Sequence, residues 1–176
     1  MAARYANEPY LLQSDQERGP RGMAMQVFGV SGGPRMEAEQ DPGNVQGFFF
    51  NNAPMLELTD VDTTLDIMSL REKYFDDPNA LGRALKLRTD LIKQHAPYML
   101  PDTNIISHSM FTQSAFRFGK WYGHMALFPV LDEQKNATET VKSDHPFGVL
   151  SDWLFDYFQG KEAKYEFKVC VPSSLF

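Results

Sequence analysis

The sequence lacks the short motifs by which many soluble enzymes are identified. It contains no GxxxxGK[ST] phosphate loop, no GxGxxG fingerprint and no GxSxG nucleophile turn. Cys170 is its single cysteine, so an internal disulfide is excluded. One cysteine and the lack of a secretory signal predict a cytoplasmic protein. The four histidines, at positions 95, 108, 124 and 145, have no partner at the spacing of metal ligands.

Basic residues are also few, since 17 Lys and Arg stand against 23 Asp and Glu and leave a net charge of −6. A nucleic-acid partner is therefore not expected. No apolar run is long enough to span a bilayer. What the chain does have is 176 residues, 43% of them hydrophobic, with 14 Phe and 7 Tyr. That composition predicts one domain with a substantial aromatic core.

The first third of the chain is expected to form strands. Residues 23–30 alternate in polarity and 45–50 are mostly apolar, while 31–44 are rich in turn residues. This order predicts a wide β-hairpin.

Helices are expected next. Residues 63–75 have apolar positions at helical spacing, and 76–97 begin with Asp77 as an N-cap and Pro78 at the first helical position. A strand follows within 98–131, then an amphipathic helix over 145–160 and a half-buried strand over 163–171. The pattern indicates an α+β fold with antiparallel strands, which could close as a barrel or remain a sheet.

The stretch FFFNNAPMLELTD, residues 48–60, places two asparagines between apolar runs. Asparagine is unfavourable inside a strand. It is common in turns, because it tolerates left-handed backbone and bonds its own main chain. A turn and a functional carboxamide are both compatible with this pattern.

Five segments, taken in chain order, resemble the haem catalase-like family, and in particular its small members from bacteria and fungi. They are RYANEP, GPRGMAMQVFGV, FFFNNAPML, QSAFRFGKWYGHMALFPV and DWLFDYFQGKEAKYEFKVCV. The resemblance implies a single domain over 1–176, built as a partial antiparallel β-barrel of the catalase type with inserted helices. It implies haem as cofactor, hydrogen peroxide or an organic peroxide as substrate, and assembly as a homo-oligomer.

The resemblance also implies roles for individual residues. Asn51 matches the carboxamide that hydrogen-bonds peroxide over the distal haem face, and Asn52 is then a turn residue. A carboxamide suits this role because it donates and accepts without titrating. Arg4 matches an arginine that faces a haem propionate, which a forked guanidinium can bind through both oxygens. Leu56 falls where catalases carry an aromatic beside the distal pocket.

The chain departs from the family pattern at several places. Arg18 and Arg21 match a conserved RDPRG segment, but Gly19 replaces the Asp, so both are interpreted as loop arginines without an ion pair. The distal histidine and the proximal tyrosine of the family lie outside the segments matched here. The chain is therefore expected to be an incomplete catalase-like protein, inactive by itself. The alternatives are a non-catalytic module that binds a ligand or a protein, and a second polypeptide that supplies the missing parts.

Overall fold

The computed structural model describes residues 1–7, 14–31, 44–54, 60–90 and 99–170. Within these ranges the chain forms seven strands and four α-helices, with a short 3-10 helix at Ile105–Ser107. The strands are β1 (Ala2–Asn7), β2 (Arg21–Val27), β3 (Gln46–Asn51), β4 (Met110–Thr112), β5 (Phe116–Phe118), β6 (Trp121–Pro129) and β7 (Tyr165–Cys170). The helices are α1 (Val61–Lys73), α2 (Pro78–Lys86), α3 (Asp132–Lys135) and α4 (Val149–Phe158).

All seven strands belong to one antiparallel sheet in the order β1-β2-β3-β4-β6-β5, with β7 also paired to β6. The sheet curves so far that β1 and β7 approach each other: the hydroxyl oxygens of Tyr5 on β1 and Tyr165 on β7 lie 2.9 Å apart. Strands β1 and β7 are not paired with each other, so over the described residues the sheet is not closed into a barrel. The α+β prediction is confirmed, and the predicted hairpin is the antiparallel pair β2–β3.

The strand register gives the sheet an inner and an outer face. The inner face carries the main core, in which Met23, Met25, Phe50, Met110 and Leu127 are buried together. Burial of these apolar side chains is the main stabilising contribution to the sheet.

The predicted start of α2 is confirmed, and other parts of the helical predictions are wrong. Asp77 caps α2 as expected, since its Oδ1 accepts a hydrogen bond from the backbone N–H of Ala80 at 2.9 Å. The helix ends at Lys86, well before residue 97, and 91–98 lie outside the described residues. The amphipathic helix predicted over 145–160 is α4, Val149–Phe158. Of the apolar residues predicted on its buried side, Leu150 is buried, whereas Phe158 is exposed.

The strand predicted within 98–131 is divided into β4, β5 and β6. A two-residue turn joins β5 to β6, and Gly119 in that turn has a φ of +62°, a conformation that glycine adopts without strain. Met125 and Leu127 are buried as the alternation predicts, but Trp121, predicted on the same face, is 39% exposed. In the part of the chain that the structure describes, no helix is both long and apolar enough to cross a membrane.

Candidate functional site

The outer face of β1, β2 and β3 has a central surface, called the floor below, that is formed by alanine and glycine residues. Antiparallel register pairs Ala2 with Gln26 and Gly47, Arg4 with Ala24 and Phe49, and Ala6 with Gly22 and Asn51. Residues paired in this way project from the same face of a sheet. We call this surface the small-residue face; it consists of Ala2, Arg4, Ala6, Gly22, Ala24, Gln26, Gly47, Phe49 and Asn51.

Two of the residues predicted to bind haem or peroxide, Arg4 and Asn51, fall within the described ranges. Both lie on the small-residue face. Their positions differ by two residues along the strands and by two strand spacings across the sheet, which places their Cα atoms roughly 12 Å apart. Phe49 lies between them in the register and is 74% exposed, an unusual state for an aromatic side chain in a strand.

A cavity of about 390 Å³ adjoins the small-residue face. Most of its lining residues belong to that face, among them Arg4, Ala24, Gly47 and Phe49. A Cβ atom added at Gly47 would meet no atom within 4 Å. The floor is therefore open above Gly47, and a flat ligand can approach the backbone there.

Asn51 is buried and has a local structural role. Its Oδ1 accepts hydrogen bonds from the backbone N–H of Ala53 at 2.9 Å and from Nε2 of Gln113. The bond to the residue two positions later is the side-chain turn that asparagine commonly forms. The turn expected from the paired asparagines is thus made by Asn51 at the end of β3.

Asn52 lies within this turn, as predicted, and its side chain also contacts a buried polar cluster. Its Oδ1 accepts from the backbone N–H of Arg21 at 2.8 Å, and its Nδ2 lies 3.1 Å from Nδ1 of His108. Asn52 is buried. The second asparagine therefore connects β2 to the loop before β4.

The interpretation of Arg21 as a loop arginine without an ion pair is wrong. Arg21 begins β2, and its side chain is only 1% exposed. One Nη donates to Asp102 at 2.9 Å and to the backbone oxygen of Asp15, and the other donates to Asn7. Its Nε is buried without a partner among the described residues. Arg18 also lies 3.9 Å from Asp102, so an ion pair forms although Gly19 replaces the aspartate.

His108 is the buried histidine of this cluster, and its tautomer follows from its partners. The amide Nδ2 of Asn52 donates to Nδ1 of the ring, so Nε2 carries the proton and donates to Oγ1 of Thr103 at 2.9 Å. Burial, aided by the positive charge of Arg21, lowers the pKa of His108 from 6.5 to about 4. The imidazole is therefore neutral near pH 7, with both ring nitrogens engaged.

The residues of the small-residue face fit one side of a haem-like ligand. Alanine and glycine allow close approach, Arg4 is exposed and available to a carboxylate, and Phe49 offers an exposed ring. Leu56, the third predicted site residue, lies outside the described residues. Over the described ranges, no group of three or more His, Cys, Asp or Glu residues is arranged to hold a metal ion; a single axial ligand to haem iron is a different kind of site.

Comparisons with protein-family models, with curated proteins and with solved structures found no match for this chain. The resemblance to the catalase-like family therefore remains a prediction from the five segments.

Proposed function

We propose that this chain is a haem-binding protein of the catalase-like class, which acts on hydrogen peroxide or an organic peroxide when haem is bound. The observation that carries the proposal is the small-residue face, where the strand register brings Arg4, Phe49 and Asn51 around a floor of alanine and glycine. The adjoining cavity and the order of the five sequence segments support it.

Each residue has a role that its chemistry supports. The guanidinium of Arg4 binds a propionate carboxylate, which it can hold through two parallel hydrogen bonds. Ala24, Gly22 and Gly47 would leave space for the macrocycle beside the sheet, and the exposed ring of Phe49 would offer it an aromatic contact. Bound haem supplies an iron centre that reacts with peroxide, and Asn51 orients the peroxide through its carboxamide.

A second candidate is binding of haem or a similar ligand without rapid turnover. His108 favours it, because both ring nitrogens are held in internal hydrogen bonds and the ring cannot readily carry a proton to a substrate. Proton transfer by a positioned side chain commonly contributes on the order of 100- to 10,000-fold to a reaction of this kind.

The proposal is tested by titrating the purified chain with hemin and following the Soret absorbance. We expect a saturable shift at one hemin per chain. In the variant Gly47→Leu the new side chain fills the space above the floor, so the saturable shift is lost. A Cβ atom at this position has open space around it, since it would meet nothing within 4 Å, and leucine is better tolerated than glycine in a strand.

Two controls separate a specific site from adventitious binding. Gly160→Leu is the matched control, because Gly160 also has open space around it and lies after α4, away from the small-residue face. Arg4→Ala weakens hemin binding by about tenfold or more, as loss of a charge-assisted hydrogen bond predicts, but leaves binding of hemin dimethyl ester unchanged. The absence of a saturable shift, or equal shifts in both leucine variants, would reject the haem proposal.

The catalytic part of the proposal has its own measurement. Asn51→Asp keeps an oxygen that can accept from the N–H of Ala53 but replaces the neutral amide with an acid. We expect hemin affinity to stay unchanged and peroxide decomposition by the loaded protein to fall. Haem binding with no peroxide decomposition above free hemin would establish the second candidate instead.

A further inference from the structure

A second cavity, of about 540 Å³, lies on the inner face of the sheet between β1, β7 and α4. Its volume is within the range of sites for small organic molecules. Most of its lining is apolar and includes Met23, Leu154, Phe155 and Phe158. Phe155 is 68% exposed and Phe158 is 47% exposed, so two aromatic side chains at this cavity are left uncovered by the described residues.

Tyr5 and Tyr165 supply the polar part of this cavity. The hydroxyl of Tyr165 donates its single proton to the backbone oxygen of Ile106 at 3.2 Å. In the 2.9 Å contact between the two phenols, Tyr5 must therefore be the donor. With its proton committed, the oxygen of Tyr5 can offer a ligand only an acceptor.

Among the described residues that line the cavity, the polar side chains are those of Ser151, Gln159 and the two tyrosines, and none is Asp, Glu, Lys, Arg or His. Met1, which carries the amino terminus, also contributes to the lining. Burial raises the pKa of Tyr5 well above its ordinary value and also raises the pKa of Tyr165, so both phenols remain neutral. An anionic head group placed beside the hydroxyls of Tyr5 and Tyr165 would find no Lys, Arg or His side chain among the described lining residues, so burying it there would be costly.

We propose that this inner cavity binds a neutral amphiphile with a hydroxyl head group, of the class of long-chain alcohols. The hydroxyl donates to the oxygen of Tyr5, and the alkyl chain packs against Met23, Leu154 and Phe155. The site is independent of the haem proposal, since it uses the opposite face of the sheet.

The test is calorimetric titration of the chain with 1-decanol and, as the charged counterpart of equal length, with decanoate at pH 8. We expect 1-decanol to bind one per chain and at least about tenfold more tightly than decanoate. In Tyr5→Phe the affinity for 1-decanol falls by about tenfold, the usual effect of one lost hydrogen bond, and the affinity for decanoate is unchanged. Tyr122→Phe, an exposed tyrosine on β6, is the control.

A second variant tests the location independently of the hydroxyl. Ser151 lines the cavity from an exposed position of α4, so Ser151→Trp fills the space with little risk to folding and abolishes binding. Asp152→Trp, at the next position of the same helix and outside the lining, leaves binding intact. Decanoate binding as tightly as 1-decanol would overturn the proposal, and so would unchanged 1-decanol affinity in Tyr5→Phe or in Ser151→Trp.

Discussion

At the scale of single residues, two adjacent asparagines at the end of β3 place their side chains on opposite faces of the sheet. Asn51 faces outward with the small-residue face and closes a local turn, whereas Asn52 reaches the cluster of Arg21 and His108. A sequence pattern identifies both as polar residues at a strand end, but it cannot assign their faces without the register. Burial of a polar group is costly unless it is hydrogen-bonded, and here both carboxamides meet that condition.

His108 gives this cluster a defined pH dependence. Above pH 6.5 the ring is neutral in both folded and unfolded chains, so its stability contribution is constant. Between pH 6.5 and about 4 the unfolded chain binds a proton that the folded chain excludes, so stability falls as the pH falls. The shift corresponds to a loss of about 3 kcal/mol, complete near pH 4. Urea unfolding of the wild-type chain from pH 7 to pH 4 measures it.

The matched variants for this experiment are His108→Gln and His124→Gln. Glutamine at position 108 does not titrate, so we expect that variant to lose the His108 component and to show a flatter pH profile. His124 is exposed on β6, so His124→Gln is the control for the replacement of a histidine outside the cluster. A profile unchanged by His108→Gln would contradict the assignment.

At the scale of elements, the sequence predicts strands and helix starts better than it predicts which polar residues are buried. The alternation that places Met23 and Met25 inward also places Arg21 inward, two residues earlier on β2. That signal was available in the sequence, but an arginine after Gly and Pro is typical of a loop. Its partner Asp102 is 81 positions away, and only the tertiary fold brings the two together.

The candidate site could likewise be predicted only in part from the sequence. Arg4 and Asn51 were identified as site residues from the resemblance, and the register places them on one face. The alanine and glycine floor between them was not predicted, because small residues carry no chemical signature until strand pairing aligns them. The division between β5 and β6 depends on the two-residue turn at Gly119, a local feature that a pattern of alternating polarity does not reveal.

The pairing of β6 with β7 depends on a glycine. A Cβ atom at Gly123 would lie 2.7 Å from the backbone oxygen of Cys170 and 3.2 Å from Cγ1 of Val169. Backbone cannot yield as a flexible side chain does, so we expect Gly123→Ala to destabilise the fold by about 1–3 kcal/mol. Gly47→Ala, also in a strand but with open space, is expected to be neutral or stabilising by less than about 1 kcal/mol. Thermal and urea unfolding of the two variants compare them, and equal stabilities would contradict the close approach of β7.

At the scale of the whole molecule, the sheet separates the two faces for which we propose ligand binding. The outer small-residue face and the inner cavity share strand β1, whose alternate residues Arg4 and Tyr5 serve one face each. This follows directly from the two-residue period of a strand. The curvature of the sheet, with β1 and β7 in contact but unpaired, gives the inner face enough depth for a cavity.

The contact between Tyr5 and Tyr165 is the link that keeps the first and last strands together, and a double-mutant cycle measures it. We expect Tyr5→Phe and Tyr165→Phe each to destabilise the chain, and their combined effect to be smaller than the sum by about 0.5–1.5 kcal/mol, because both remove the same hydrogen bond. Tyr165→Phe combined with Tyr122→Phe should be additive within about 0.5 kcal/mol, since Tyr122 is exposed on the far part of β6. Additivity in the first pair would mean that the two strand ends do not meet in solution. The hydroxyl of Tyr5 could then donate as well as accept, and the proposed selectivity of the inner cavity for a hydroxyl donor would lose its basis.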